Sequence, residues 1–254
     1  MTTFYISPNG DDSASGTSPS EAFETFAQAR AAMRSSSGAD TTIVGGGTYM
    51  LSAPIALTSA DSNSSFVAAA GDVATVSGGG GSFGLFTITD ASNITIRGLT
   101  LQGVTTDADS PEEVPAGIMT NHSSNIVIAD NTLEGLPRGI WLDDHSHHVT
   151  VSGNSLTDIG GYGVDITALT HENTVTNNTM TGIGYQWTSQ TAAVSLGETW
   201  GNVVSHNLIT DVADFGIGEW NYTPSNKSGG NTIEYNIINH TGQIAYDVGA
   251  IYIY

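Results

Sequence analysis

Two stretches, DFGIGEW at residues 214–220 and DVGAIYI at residues 247–253, share a leading acid, a glycine two positions on and a strand-forming tail. Overlaid on neighbouring strands of a stacked sheet, Asp214 and Asp247 fall at one phase of consecutive coils. Their carboxyls then stand roughly 5 Å apart, one inter-strand spacing, which is close to the separation of about 5 to 5.5 Å in retaining glycosidases. Two like charges so close raise one pKa, so a single residue type supplies both an acid and a base. The plain alternative is that both acids end turns before a glycine, or jointly hold a cation. Glu219 follows on the same strand and Glu198 ends the strand of the preceding unit; both are reserve carboxylates. An aromatic ring beside carboxylates suits a sugar, whose C–H face stacks on the ring while its hydroxyls bond to the acids. Trp220, next to Glu219 and ahead of the loop NYTPSNKSGG, is the expected platform, with Trp141, Tyr222, Tyr246 and Tyr252 as further binding surface. A Trp packed under a loop is the competing reading.

A second cluster, DDHSHH at residues 143–148, lies near Asp165 and His171 of the following unit. Two imidazoles and a carboxylate can hold a metal, and Tyr162 with Asp165 and His171 can move a proton in a lyase or epimerase. The spacing matches no zinc motif and His148 starts a strand, so a surface turn is favoured and no metal site is assigned. A pectate-type lyase wants Ca²⁺ and a basic proton acceptor. The coil region offers only Arg97, Arg138 and Lys227 for that role.

The elements that must position these groups repeat. NIVIADNTLEGL, HVTVSGNSLTDI, NTVTNNTMTGI, NVVSHNLITDV and NTIEYNIINHT share a short alternating run, an Asn, and an apolar residue two positions on. The asparagines Asn131, Asn154, Asn178, Asn207 and Asn236 are separated by 23, 24, 29 and 29 residues. SNITIRGLTL fits one unit earlier, with Leu99 in the Asn position. Units this short cannot enclose a core alone and must stack on one another. The fold expected is all-β, a right-handed parallel β-helix in one domain, 1–254. Residues 1–90 form its amino-terminal cap and first coils, and residues 91–254 its repeat coils. Stacked asparagines at an inward bend pass amide hydrogen bonds from coil to coil. Thr25–Gln28 reads as a helix cap, and Phe26, Ala29, Arg30 and Met33 follow helical spacing up to the Ser-rich break at 35–37. That helix is placed over the open end of the solenoid.

Five Lys plus Arg against 25 Asp plus Glu give a formal charge of -20. Such a chain is repelled by phosphate backbones and anionic lipid, which argues against nucleic acid and membrane partners. The balance suits divalent cations. No cofactor is required on this reading, and Ca²⁺ is the ion considered, with Asp11 and Asp12 in the loop 9–18 as ligands or as ordinary Asx-turn residues. The absence of cysteine removes disulfide and thiolate chemistry. No amino-terminal signal peptide is read in MTTFYISPNG.

FYISPNGDDSASGTSPSEAFETFAQARAAM, followed by TIVGGGTYMLSAPIALTSAD and VATVSGG, resembles the amino-terminal signature of bacterial right-handed parallel β-helix proteins that act on carbohydrates, nearest to glycoside hydrolase family 141 and its relatives. GNVVSHNLITDV, NTIEYNIINHT and DVGAIY extend the likeness over nearly the whole chain. The resemblance implies a secreted or extracellular protein acting on a polysaccharide or oligosaccharide. In that family a DxGAIY segment faces substrate. Here Asp247 keeps one acid position, Val248 stands where a second Asp often occurs, and the family continues for many coils beyond. The terminal strand is therefore expected to expose an edge that invites self-association, or to run on into a longer solenoid. The leading expectation is a glycoside hydrolase-like module. A polysaccharide lyase or uronate C5-epimerase comes second, and a noncatalytic glycan-binding or adhesin module third.

Overall fold

A computed structural model describes residues 1–187, 190–221, 229–244 and 248–254. The chain winds as a right-handed parallel β-helix. Each coil contributes one short strand to each of three parallel sheets, in the order I, II, III. In one coil these are Thr174–Thr176, Thr179–Ile183 and Ala192–Gly197. Among the described residues sheet I has nine strands, from Thr2–Ile6 to Thr232–Glu234, and sheets II and III have eight each, from Gly47–Met50 to Ile237–Asn239 and from Ile55–Leu57 to Ile251–Ile253. Every described strand pairing is parallel, with one coil laid on the next.

The period-two alternation of each strand places its apolar residues inward, and stacking turns them into columns. Ile96, Ile128, Val151, Val175 and Val204 form one column on sheet I. Leu101, Leu133, Leu156, Met180 and Ile209 form a second on sheet II, and Ile118, Ile140, Val164, Val194 and Ile217 a third on sheet III. All fifteen are fully buried. At about 1.5 to 3 kcal/mol for each buried aliphatic side chain, these columns are the main favourable term of the fold.

Corners are set by side chains rather than by sheets. Between sheets I and II the residue before each stacked asparagine sits in the left-handed region, from Asp130 (φ 55) through Gly153 (φ 67) and Asn177 (φ 56) to Tyr235 (φ 55). The next residue then turns its amide into the tube. Asn131 Nδ2 donates to Asn154 Oδ1 at 3.1 Å, Asn154 to Asn178 at 2.9 Å, Asn178 to Asn207 at 3.0 Å and Asn207 to Asn236 at 2.9 Å. A second column lies at the corner between sheets III and I. Asn173 donates to Asn202 and Asn202 to Asn231, each at 3.0 Å.

The helix Phe26–Ser35 lies over the amino-terminal end of the tube, its Phe26 ring packed on Tyr49, Phe66 and Phe86. Thr25 caps it by accepting from the Gln28 amide at 3.1 Å, while its own hydroxyl donates to Asp12 Oδ2 at 2.7 Å. Thr25→Ala is expected to cost about 1 kcal/mol, read as a lower urea midpoint at unchanged m. Asp11 accepts from the Ser13 amide and hydroxyl, as in an Asx-turn, whereas Asp12 reaches out of its loop to accept from the Glu24 amide and from the Thr25 amide and hydroxyl.

Candidate functional site: the outer face of sheet III

Sheet III gathers polar, charged and aromatic side chains on the face turned away from the core. Its strands open on a glycine column, Gly117, Gly139, Gly163 and Gly216, where there is no room for a side chain. A Cβ on Gly139 would lie 2.3 Å from the Gly163 carbonyl oxygen. The residue before each glycine, and before Ala193 at the same phase, is directed outward, which puts Arg138 beside Tyr162, followed by Ala192 and Phe215. Two positions beyond the glycine comes the column Met119, Trp141, Asp165, Ser195, Gly218 and Tyr252.

Arg138 and Asp165 form the centre of this face. Arg138 is fully buried, with its guanidinium 4.1 Å from the Trp141 ring centroid and 5.4 Å from that of Tyr162. Its Nη1 lies 3.5 Å from Asp165 Oδ2, and its Nη2 donates to the Pro111 carbonyl. The Tyr162 hydroxyl donates to Glu112 Oε1 at 2.7 Å, so the segment Pro111–Glu113 is pinned across the face by these two contacts. Burial pushes the Asp165 carboxyl up to about 6, against the opposing pull of Arg138 and the Ser195 hydroxyl. Burial also raises the Tyr162 hydroxyl, assisted by Asp165 and Glu112. Asp165 Oδ1 is buried without a hydrogen-bond partner. Beside this centre Trp141 Nε1 donates to Thr167 Oγ1 at 2.8 Å, and Thr167 Oγ1 donates to Asp143 Oδ1 at 2.8 Å. Trp141, Asp143 and Thr167 are half-buried, which leaves them within reach of solvent.

The residues singled out in the sequence divide between this face and other places. Trp141 and Asp165 belong to it. His171 lies past the corner, its ring stacked 5.1 Å from His147 and 4.5 Å from Trp200. Asp214 is 2% exposed; its Oδ2 accepts from the Thr191 amide at 3.1 Å, and burial raises its pKa. The expected superposition of DFGIGEW on DVGAIYI is one residue out of step. Ile217 pairs with Ile251, where that overlay needs Ala250, so the position opposite Asp214 is Val248. A slip of one residue exchanges the two faces of a strand. Asp247, Tyr222 and Tyr246 lie outside the described residues.

Glu219 and Trp220 are also placed differently from expectation. Glu219 shares the inward phase of Leu196 and accepts from Asn231 Nδ2 at 3.0 Å, ending the second amide column. Trp220, expected as an open platform, is 8% exposed, its ring folded over Gly218 and edge-on to Phe215 at 5.7 Å. Tyr252 packs 4.8 Å from Phe215 and is half-buried. Glu198 is half-exposed at the corner after sheet III, in the left-handed region at φ 57. Sequence reasoning counted Arg138 only as a scarce cation. Aligning PRGIW with GYGVD on the glycine would have set it beside Tyr162 and Trp141 beside Asp165. A separate cleft of about 500 Å³ opens next to the capping helix, lined by Phe26, Arg30, Tyr49 and Ile55; none of these carboxylates reaches it.

The fold and this face define a parallel β-helix protein with a sealed ionic centre on one sheet. More particularly, residues 40–254 match the family described as periplasmic copper-binding protein (NosD), and the chain belongs to that family. A search of curated proteins finds no match. Among solved structures the chain is similar to one titled glycoside hydrolase, at 13% identity and a TM-score of 0.79, covering 100% of this chain and 85% of that one. It is similar to a rhamnogalacturonan lyase at 14% identity and a TM-score of 0.63, over 99% of this chain and 65% of that one. The catalytic domain of a GH87 alpha-1,3-glucanase in complex with tetrasaccharides matches at 16% identity and a TM-score of 0.68, over 100% of this chain and 50% of that one. At these identities the likeness is one of fold. The chain therefore spans half to two thirds of the latter two proteins. Among the described residues no helix is long and apolar enough to cross a membrane.

Proposed function

We propose that the chain is a carbohydrate-active β-helix module, glycoside hydrolase-like, working outside the cytoplasm on a polysaccharide or oligosaccharide held along the outer face of sheet III. The observation that carries this is Asp165, a buried carboxyl raised to about 6 with one oxygen unpartnered, beside Trp141 and one coil from Asp143. A carboxyl poised there is protonated often enough near neutrality to serve as a general acid. Asp143 stands one coil back and two residues along, which sets the two acids roughly 8 Å apart by strand spacing and rise. That distance falls within the range of about 6.5 to 9.5 Å that leaves room for a water in inverting glycosidases. Asp143, accepting from Thr167, would be the base, and the Trp141 ring the stacking surface. Glycan reaches Asp165 once the contacts of Pro111–Glu113 with Arg138 and Tyr162 open. The similarity to a glycoside hydrolase fold, the periplasmic setting in the family description and the resemblance to family 141 support this reading.

The test is reducing-end release from a panel of neutral and uronic polysaccharides. Asp165→Asn is expected to lower kcat about 10²- to 10⁴-fold, the usual contribution of a general acid, while glycan binding is kept. The first product should carry the inverted anomeric configuration by proton NMR. Unsaturated products absorbing in the ultraviolet would replace this with the lyase reading, for which the cation Arg138 on the same face is the favouring observation. Glycan binding with no bond cleavage on any polymer would leave a binding module.

A further inference from the structure

The corner that follows sheet III gathers donor atoms that the glycan reading does not use. Thr89 pairs with Asn121 and Ser92 with Ser124, so Asp90 stands opposite His122. In the next coil Asn121 pairs with Asp143, but Ser124 pairs with His147. One extra residue fits between these pairings, and both Asp144 and His145 consequently face His122. The His122 and His145 rings are parallel within 3° at 5.5 Å between centroids. Asp144 lies between them, its Oδ2 3.4 Å from His122 Nδ1 and its Oδ1 2.9 Å from His145 Nδ1. The donor atoms of all three lie within 4.8 Å of one another. The side chains are 49%, 38% and 51% exposed, open to an ion from solution. Their backbone is fixed, since the His122 amide donates to the Asp144 carbonyl at 2.9 Å and the His145 amide to that of Ala168 at 3.0 Å. The following coil offers only Ala168 and Leu169 at this phase, which closes the donor set on that side.

We propose that His122, Asp144 and His145 bind one divalent transition ion, with Cu²⁺ held most tightly. Two imidazole nitrogens and one carboxylate oxygen suit Cu²⁺ and Zn²⁺, whereas Ca²⁺ and Mg²⁺ take oxygen-only sets. Between the two, N/O sites favour Cu²⁺ over Zn²⁺. Three protein donors leave a position for water, and Asp90 adds negative charge from the preceding coil. The family description names copper; the donor geometry of this corner says where in this chain such an ion is held. The site is independent of Asp165 and of any action on glycans.

The full chain is titrated with CuCl₂, followed by calorimetry and electron paramagnetic resonance. One equivalent is expected to bind with nitrogen hyperfine structure from two imidazoles, and ZnCl₂ should compete at higher concentration. In His122→Asn/His145→Asn that saturable binding and its two-nitrogen signal should be lost. Asparagine tolerates the left-handed backbone of both positions (φ 46 and 64), so the metal-free melting temperature should be kept, and single variants stand in if it is not. Asp144→Asn should weaken binding while keeping both nitrogens. Unchanged stoichiometry and spectrum in the double variant would overturn the proposal. So would loss of the signal in His147→Ala/His148→Ala, or tighter binding of CaCl₂ than of CuCl₂.

Discussion

Asn178→Ala is expected to destabilise the protein by about 3 to 5 kcal/mol. The side chain is 1% exposed and serves five partners. Its Oδ1 accepts from the Asn154 amide and from Asn154 Nδ2, both at 2.9 Å, and its Nδ2 donates to the Val151 carbonyl and Asn207 Oδ1, both at 3.0 Å, and to the Thr176 carbonyl at 3.1 Å. Alanine orphans the Asn154 amide inside the tube and takes one bond from each of the other four groups, of which Asn154 Nδ2 keeps the Ile128 carbonyl and Asn207 Oδ1 keeps the Asn178 amide. Each buried polar group so orphaned costs about 1 to 3 kcal/mol, and relaxation with an entering water recovers part of the sum. Asn236→Ala is the comparison. Asn236 is half-buried at the last described rung, where it accepts from the Asn207 amide and Nδ2 and donates to the Val204 carbonyl; water can replace these bonds there, so its loss should cost less, about 1 to 2 kcal/mol. Urea unfolding of the two variants measures the difference. Equal, small losses would mean that stacking of the aliphatic columns alone sets coil spacing.

The same column explains what was legible in the sequence. An Asn recurring with a strand before it and an apolar residue after it can be read from one chain, because the fold uses it identically in every coil. Leu99 shows the rule at its boundary. It holds the Asn phase in the first repeat coil, and its amide donates to Asn131 Oδ1 at 3.0 Å; as the end of the column it needs no acceptor of its own. The second column is also visible, since Asn173, Asn202 and Asn231 begin the segments NTVT, NVVS and NTIE. It is the less conspicuous of the two because it anchors a strand's start, before the alternation that marks each unit begins.

The site was harder to read, and the reason is register. Matching the letters D-x-G pairs Asp214 with Asp247, but which residues share a phase depends on loop lengths that letters do not constrain. Gly216 takes Ala250 rather than Gly249 as its neighbour, as shown by the Gly216 amide donating to the Gly249 carbonyl and the Ile217 amide to that of Ala250. One residue suffices to undo the match. Burial was equally hidden. Trp220 looks exposed beside Glu219 in the chain, yet Gly218 leaves a hollow into which its own ring folds, closed by Phe215. The pair Arg138 and Asp165 escaped for the opposite reason. Its members lie in consecutive coils, and only a loop more than twenty residues upstream, carrying Pro111 and Glu112, makes their surroundings dry.

Replacing that cation should have the second large effect, and pH reports on it. Arg138→Met leaves the Asp165 carboxyl buried without its counter-charge, and breaking a buried pair from one side costs about 3 to 5 kcal/mol. Arg138→Met/Asp165→Leu removes both charges together with the unpartnered Arg138 Nε and Asp165 Oδ1, and should recover most of the loss, since apolar replacement of a whole buried pair is near neutral or better. The pH dependence has a definite sign. The folded pKa of Asp165, about 6, lies above its ordinary 3.8, so the native state holds the proton more tightly than the unfolded chain. Stability from this group is full below pH about 4, falls as pH rises through about 6, and is flat beyond, a total of about 3 kcal/mol at 1.36 kcal/mol per unit. Asp165→Asn should abolish that slope. Arg138→Met should carry it to higher pH, because the counter-charge that holds the carboxylate down is gone. Denaturant midpoints between pH 4 and 8 for the native chain and both variants distinguish these cases. Asp214, whose pKa burial also raises, adds a slope of the same sign, so a slope in Asp165→Asn as steep as that of the native chain would assign the proton to another carboxyl and remove the general acid from the outer face of sheet III.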